Sequence, residues 1–158
     1  MNRELKLNFK NLLMKTALLI SFFTVCFIST SFAQTKDDII GKWISEHGSG
    51  KIDIYKEGDK YAGKLIWLKE PLNDEGKAKT DAHNPSPDLQ SRPVLGLEIF
   101  KNFTYNGDGE FTEGTVYDPK SGKTYNCKMT LKSKDKLIIR GYMGISLIGK
   151  SETWTRVD

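Results

Sequence analysis

From Gly41 to the C-terminus, apolar and polar residues alternate with a period of two, and no stretch keeps a helical period over three turns. The alternation predicts strands over residues 42–45, 51–56, 61–68, 94–103, 111–117, 123–131, 137–142 and 152–157. Most of the gaps between them are short. Glu57-Gly58-Asp59, Asn106-Gly107-Asp108-Gly109, Asp118-Pro119-Lys120-Ser121-Gly122 and Lys134-Asp135 carry the Gly, Asn, Asp or Pro that tight reversals need. Consecutive strands joined this way run antiparallel. About eight of them in one small domain are best accommodated by an all-β, closed or nearly closed up-and-down barrel, which removes the exposed edges. Residues 37–40 are expected to make a short helical turn plugging one end. One connection, 69–93, is long and holds Pro71, Pro85 and Pro87, with Pro93 at its end. Its first part, 73–79, reads as a solvated tip, whereas 81–93 reads as structured, with Asn84 capping a turn and Pro87-Asp88-Leu89 starting a helical one. Such a connection calls for a function or for disorder.

The pattern before Gly41 is of another kind. Lys6, Lys10 and Lys15 precede an apolar run from Ala17 to Ile28, and Ser29-Thr30-Ser31-Phe32-Ala33 follows with a small-x-small cleavage signature. The run falls short of the ~20 residues that cross a bilayer. Residues 1–33 are therefore expected to be a cleaved secretory signal peptide, and 34–158 a single domain, periplasmic or extracellular, without a transmembrane anchor. Export would exclude the ATP-, NAD- and genome-linked chemistry of the cytosol. The leader removes four of the 24 Lys and Arg and one of the 20 acids, so 20 cations face 19 anions in the remainder, a net charge of +1. Without a basic patch, a nucleic-acid partner has no electrostatic footprint. Cys26 leaves with the leader and Cys127 remains alone. It alternates in phase with Tyr125, Met129 and Leu131, which places its sulfur on an apolar strand face as an inert small hydrophobe.

Several constellations invite chemistry. Asp81-x-His83-Asn84 offers fewer ligands than a zinc site requires, and the other histidine, His47, lies beside Glu46 in a different turn, so no metal and no cofactor is expected. Asp81 and Asn84 are instead expected to bond backbone groups of their own loop. Arg92, extended because Pro93 follows it, and Arg140, sharing a strand face with Ile138 and Tyr142, each call for an acid or an anionic ligand, with Asp81, Asp118 and Glu98 as candidate acids. Tyr117-Asp118-Pro119 leading through Gly122 to Tyr125 is a hairpin whose aromatics could line a mouth. Asp81, Asn84, Arg92, Tyr117, Asp118, Tyr125, Arg140 and Tyr142 are thus the candidate ligand-binding residues. No nucleophile–base–acid arrangement is visible, and Gly141-Tyr142-Met143-Gly144 lacks a phosphate-loop context.

Two resemblances add to this. Gly41-Lys42-Trp43 in the first strand and Trp154-Thr155-Arg156 in the last resemble the closing device of the lipocalin and fatty-acid-binding superfamily, in which a basic residue covers the first-strand Trp. Trp43, Trp154 and Arg156 are accordingly structural closure residues. Tyr61 to Leu68, Asn84-Pro85 to Arg92-Pro93 and Gly96-Leu97, Gly114 to Tyr125, Arg140-Gly141-Tyr142 and Trp154-Thr155-Arg156 together resemble the bacterial exported family called domain of unknown function 2147. That resemblance implies a small lipocalin-like barrel and no reaction. The leading expectation is non-catalytic binding of a small apolar, amphipathic or anionic ligand, or of an envelope partner. Trp43, Trp67, Tyr117, Tyr125, Tyr142 and Trp154 would then line the interior or plug it. The alternatives are an envelope-acting hydrolase or lyase, which needs Asp81, Asn84, Arg92 and Asp118 in one solvent-open cleft, and a structural role using the 69–79 tip.

Overall fold

The computed structural model describes residues 35–158, so the expectations of a cleaved leader and of export concern residues outside the described part. Eight strands follow one another: β1 (Gly41–Ile44), β2 (Gly50–Glu57), β3 (Lys60–Leu68), β4 (Glu98–Gly107), β5 (Glu110–Asp118), β6 (Lys123–Ser133), β7 (Lys136–Tyr142) and β8 (Gly149–Val157). Each pairs antiparallel with the next and β8 pairs with β1, giving a closed up-and-down barrel. Among the described residues the core and every strand lie within residues 39–157, so the barrel carries its own hydrophobic interior.

The seam shows why the ends meet. Trp43 lies directly across from Arg156 in the β1–β8 register, so both side chains leave the same face. The guanidinium carbon sits 4.3 Å from the Trp43 ring centroid. Its N–H groups donate to the carbonyls of Ile40 (2.9 Å), Lys134 (2.5 Å) and Asp38. A 3-10 turn, Lys36–Ile39, closes this end with Ile39 fully buried, and the Trp43 indole donates to the Ile39 carbonyl at 2.9 Å.

The interior is filled by the protein itself. Trp43, Ile52, Ile54, Phe103, Phe111, Cys127 and Leu137 have no exposed surface. Phe100 meets Phe103 at 5.9 Å and Trp154 at 5.8 Å between ring centroids, and Tyr61 meets Phe111 edge-on at 5.1 Å. Eight strands leave room for side chains or for one small ligand; here side chains take it. Burial raises the Cys127 thiol to about 12, so it stays protonated among its apolar neighbours.

Two differences from the alternation pattern have physical causes. Residues 94–97 are not strand. They fold back as a turn, Leu97 N–H to Val94 carbonyl at 3.2 Å, with Gly96 at φ +90°, and β4 begins only at Glu98. Within β4 and β5, Asn102 and Glu113 both take φ 62°, the left-handed conformation of a bulge residue. Each extra residue shifts the phase, so Phe100 and Phe103, three apart, are both buried, as are Phe111 and Gly114. The plug is therefore largely phenylalanine. Trp67, expected to line or plug the interior, is instead 40% exposed at the end of β3, with the Lys51 ammonium 5.2 Å from its ring.

Candidate binding site

In an up-and-down barrel the β1–β2, β3–β4, β5–β6 and β7–β8 connections share one end, opposite the 3-10 turn. The β3–β4 connection is ordered by its own backbone. Its limbs pair at Thr80 and Pro93, and Asp81 N–H donates to the Arg92 carbonyl at 2.9 Å, which brings the Asp81 carboxylate and the Arg92 guanidinium together. The expected helical turn is present as Pro87–Leu89 with proline in its first positions. Gly96 N–H and Leu97 carbonyl bond Leu65 in β3, while buried Val94 and Leu97 anchor the segment in the core.

Asp81 is fully buried and receives four hydrogen bonds. Tyr117 Oη donates to Oδ1 at 2.5 Å; Arg92 Nε and Nη2 donate to Oδ2 at 3.0 and 2.8 Å, and Asn84 Nδ2 at 2.8 Å. Asn84 Nδ2 also reaches Tyr117 Oη at 3.1 Å, and its Oδ1 accepts from Ser86 N–H at 2.9 Å. Burial pushes the Asp81 carboxyl up, but the bonds from Tyr117, Asn84 and Arg92, with the arginine's charge, outweigh it and hold the group below its usual value. Burial first, and then the Asp81 bond, raises the Tyr117 phenol, keeping it a donor. The assembly ties β5 to the long connection. Buried and held by four donors, the Asp81 carboxylate is committed to this clamp.

The structure thus joins Asp81, Asn84, Arg92 and Tyr117 of the sequence-predicted residues in one hydrogen-bonded cluster, and gives the others different partners. Asp81 takes side-chain donors rather than the backbone groups expected of it. Asp118 is turned into its own hairpin, accepting from Lys120 N–H at 3.0 Å and Ser121 Oγ at 2.7 Å, with Gly122 at φ +69° against the His83 carbonyl. The single open cleft required for an envelope hydrolase is therefore not formed by these residues. Tyr125 is half-buried opposite Val116, in line with Cys127. Arg140 does share a face with Ile138 and Tyr142, but it is the outer face, because Leu137 and Ile139 take the core. Among the described residues no acid forms an ion pair with it. It donates instead to the carbonyls of Ser146 (2.8 Å) and Leu147 (3.1 Å) and to Ser151 Oγ (2.9 Å). Glu98, another candidate acid, accepts from Tyr55 Oη at 2.5 Å, which raises that phenol to about 12.

Period-two alternation does not reach the β7–β8 connection. Met143, Ile145, Leu147 and Ile148 are 66, 61, 83 and 68% exposed. Leu72, Leu89 and Leu95 are exposed in the β3–β4 connection, so the large exposed apolar residues gather at the Asp81 end; among those described, only Ile40 lies at the other. The signal was available in the sequence: no charge occurs between Arg140 and Lys150.

Comparison with known proteins agrees with this architecture. Protein HP1028 from Helicobacter pylori, described as belonging to the lipocalin family, superposes with a TM-score of 0.67 at 22% identity, covering 75% of this chain and 82% of that one. At that identity the likeness concerns the fold. Comparison with curated protein sequences gives no match. The model of the family described as an uncharacterized protein conserved in bacteria, DUF2147, matches residues 41–156, from the first residue of β1 to the last but one of β8, and the chain belongs to that family.

Proposed function

We propose that this chain is an exported, non-catalytic binding protein that engages amphipathic material on the outside of its barrel, through the connections at the Asp81 end. The observation that carries the reading is the division of apolar surface: an interior occupied by its own aromatic rings, and exposed Leu, Ile, Met and Trp side chains gathered on the loops of one end. Isolated exposed apolar residues need no explanation, whereas a group of them on ordered loops marks a contact site. The Asp81 clamp has a place in this reading, since it holds the β3–β4 connection in a fixed shape at no cost in loop ordering on binding. Export rests on the charged, apolar and small-residue order of residues 1–33.

Amide shift mapping of residues 34–158 with dodecylphosphocholine monomers, below the micelle threshold, tests it. Shifts are expected in the 69–97 and 143–148 segments. Shifts confined to the 3-10 turn end, or none at all, would remove the reading.

A further inference from the structure

The β7–β8 connection is built for a particular apolar medium. From Gly141 to Gly149 the sequence Gly-Tyr-Met-Gly-Ile-Ser-Leu-Ile-Gly contains no charged residue. Its four large apolar side chains protrude into solvent, Leu147 most of all at 83% exposed. Protruding apolar groups are common to protein-docking and lipid-entering loops. The backbone distinguishes them. In hydrocarbon each unpaired carbonyl costs several kcal/mol, so a loop that enters lipid is favoured where its carbonyls are paired from within.

This loop does so at four successive carbonyls. Ile148 N–H donates to Ile145 O at 3.1 Å, Arg140 Nε to Ser146 O at 2.8 Å, Arg140 Nη2 to Leu147 O at 3.1 Å, and Met143 N–H to Ile148 O at 3.3 Å. Arg140 thereby caps the loop from the strand beneath it. Lys128, paired in register with Arg140, and Lys150 lie at the base of the same loop, while Glu152 pairs with Lys150 at 3.0 Å. A base carrying cations below an uncharged apolar tip matches the order of phosphate and acyl layers in a phospholipid surface.

We infer that Met143–Ile148 is a membrane-contact loop, which dips its Ile145, Leu147 and Ile148 side chains into the interface of a phospholipid bilayer. The inference rests on the binding reading above and names the occupant. The test uses residues 34–158, which hold the whole barrel, with vesicles of phosphatidylcholine containing phosphatidylglycerol. Wild-type protein is expected to co-sediment, and Ile145→Ser/Ile148→Ser to lose at least tenfold in partitioning. Ile40→Ser, at the opposite end of the barrel, is expected to keep it. A polarity-sensitive fluorophore on Leu147→Cys is expected to shift to the blue with vesicles; Cys127 is buried and spared labelling. Thermal unfolding monitored by circular dichroism confirms that the serine variants fold. Absence of co-sedimentation, or equal loss in both serine variants, overturns the inference. So does a dimer in analytical ultracentrifugation that Ile145→Ser/Ile148→Ser dissolves without any vesicle binding. Amphiphile shifts at the Asp81 end without vesicle binding would overturn the lipid assignment alone; failure of both would overturn the binding reading with it.

Discussion

Asp81 is an ionised group with no exposed surface, and its four hydrogen bonds set its behaviour with pH. Removing the charge leaves Arg92, Asn84 and Tyr117 aimed at a poorer acceptor. Because the Arg92 side chain is 38% exposed and can rehydrate, Asp81→Asn is expected to cost about 2–3 kcal/mol, less than most of the ~3–5 kcal/mol range for a broken, fully buried pair. The folded carboxyl lies below its ordinary value of ~3.9, so on acidification the unfolded chain takes up the proton first. The clamp's contribution is complete above about pH 5 and drains away as pH falls through ~4 toward the depressed folded value. Urea unfolding of wild type and Asp81→Asn should therefore show a gap that narrows below about pH 4; a gap independent of pH would contradict the assignment. Both Asp81 and Arg92 stood out in the sequence, because one adjoins a proline-rich turn and the other precedes a proline. Their joint partner Tyr117 is 36 residues from Asp81, and no local pattern announces a pairing at that distance.

The strands were legible because period-two alternation and the Gly, Asn and Asp of the reversals point to the same element boundaries. The bulges of β4 and β5 were not read, although Phe100 and Phe103, three residues apart, already conflict with a strict period of two. The same conflict explains Gly114. It faces the interior across from Cys127, and an added methyl group would land on the ring of Phe103, which has no exposed surface and nowhere to move. Gly114→Ala is expected to destabilise the barrel by about 1–3 kcal/mol, the usual cost of overpacking. Denaturant midpoints measure it, and a variant as stable as wild type would show that the Phe103 site is looser than described. Arg140 illustrates a further limit of strand reading. Parity correctly groups it with Ile138 and Tyr142, but parity alone does not say which face is inside.

At the scale of the whole molecule, closure was legible in two places a hundred residues apart, Gly41-Lys42-Trp43 and Trp154-Thr155-Arg156, whose side chains meet at the seam. What could not be read from alternation was whether the barrel is hollow, because that depends on how Phe100, Phe103, Phe111, Tyr61 and Trp154 share one interior after two bulges have re-aimed them. The proposed binding mode depends on that division, with rings inside and exposed aliphatic loops outside at one end. Intermolecular nuclear Overhauser effects between the chain methylenes of an added long-chain fatty acid and the protein's methyl groups test it most directly, since they report near contact alone. Cross-peaks to Ile145, Leu147 and Ile148 with none to Ile52, Met129, Leu131 and Leu137 are the expected result; cross-peaks to those four interior side chains would contradict it.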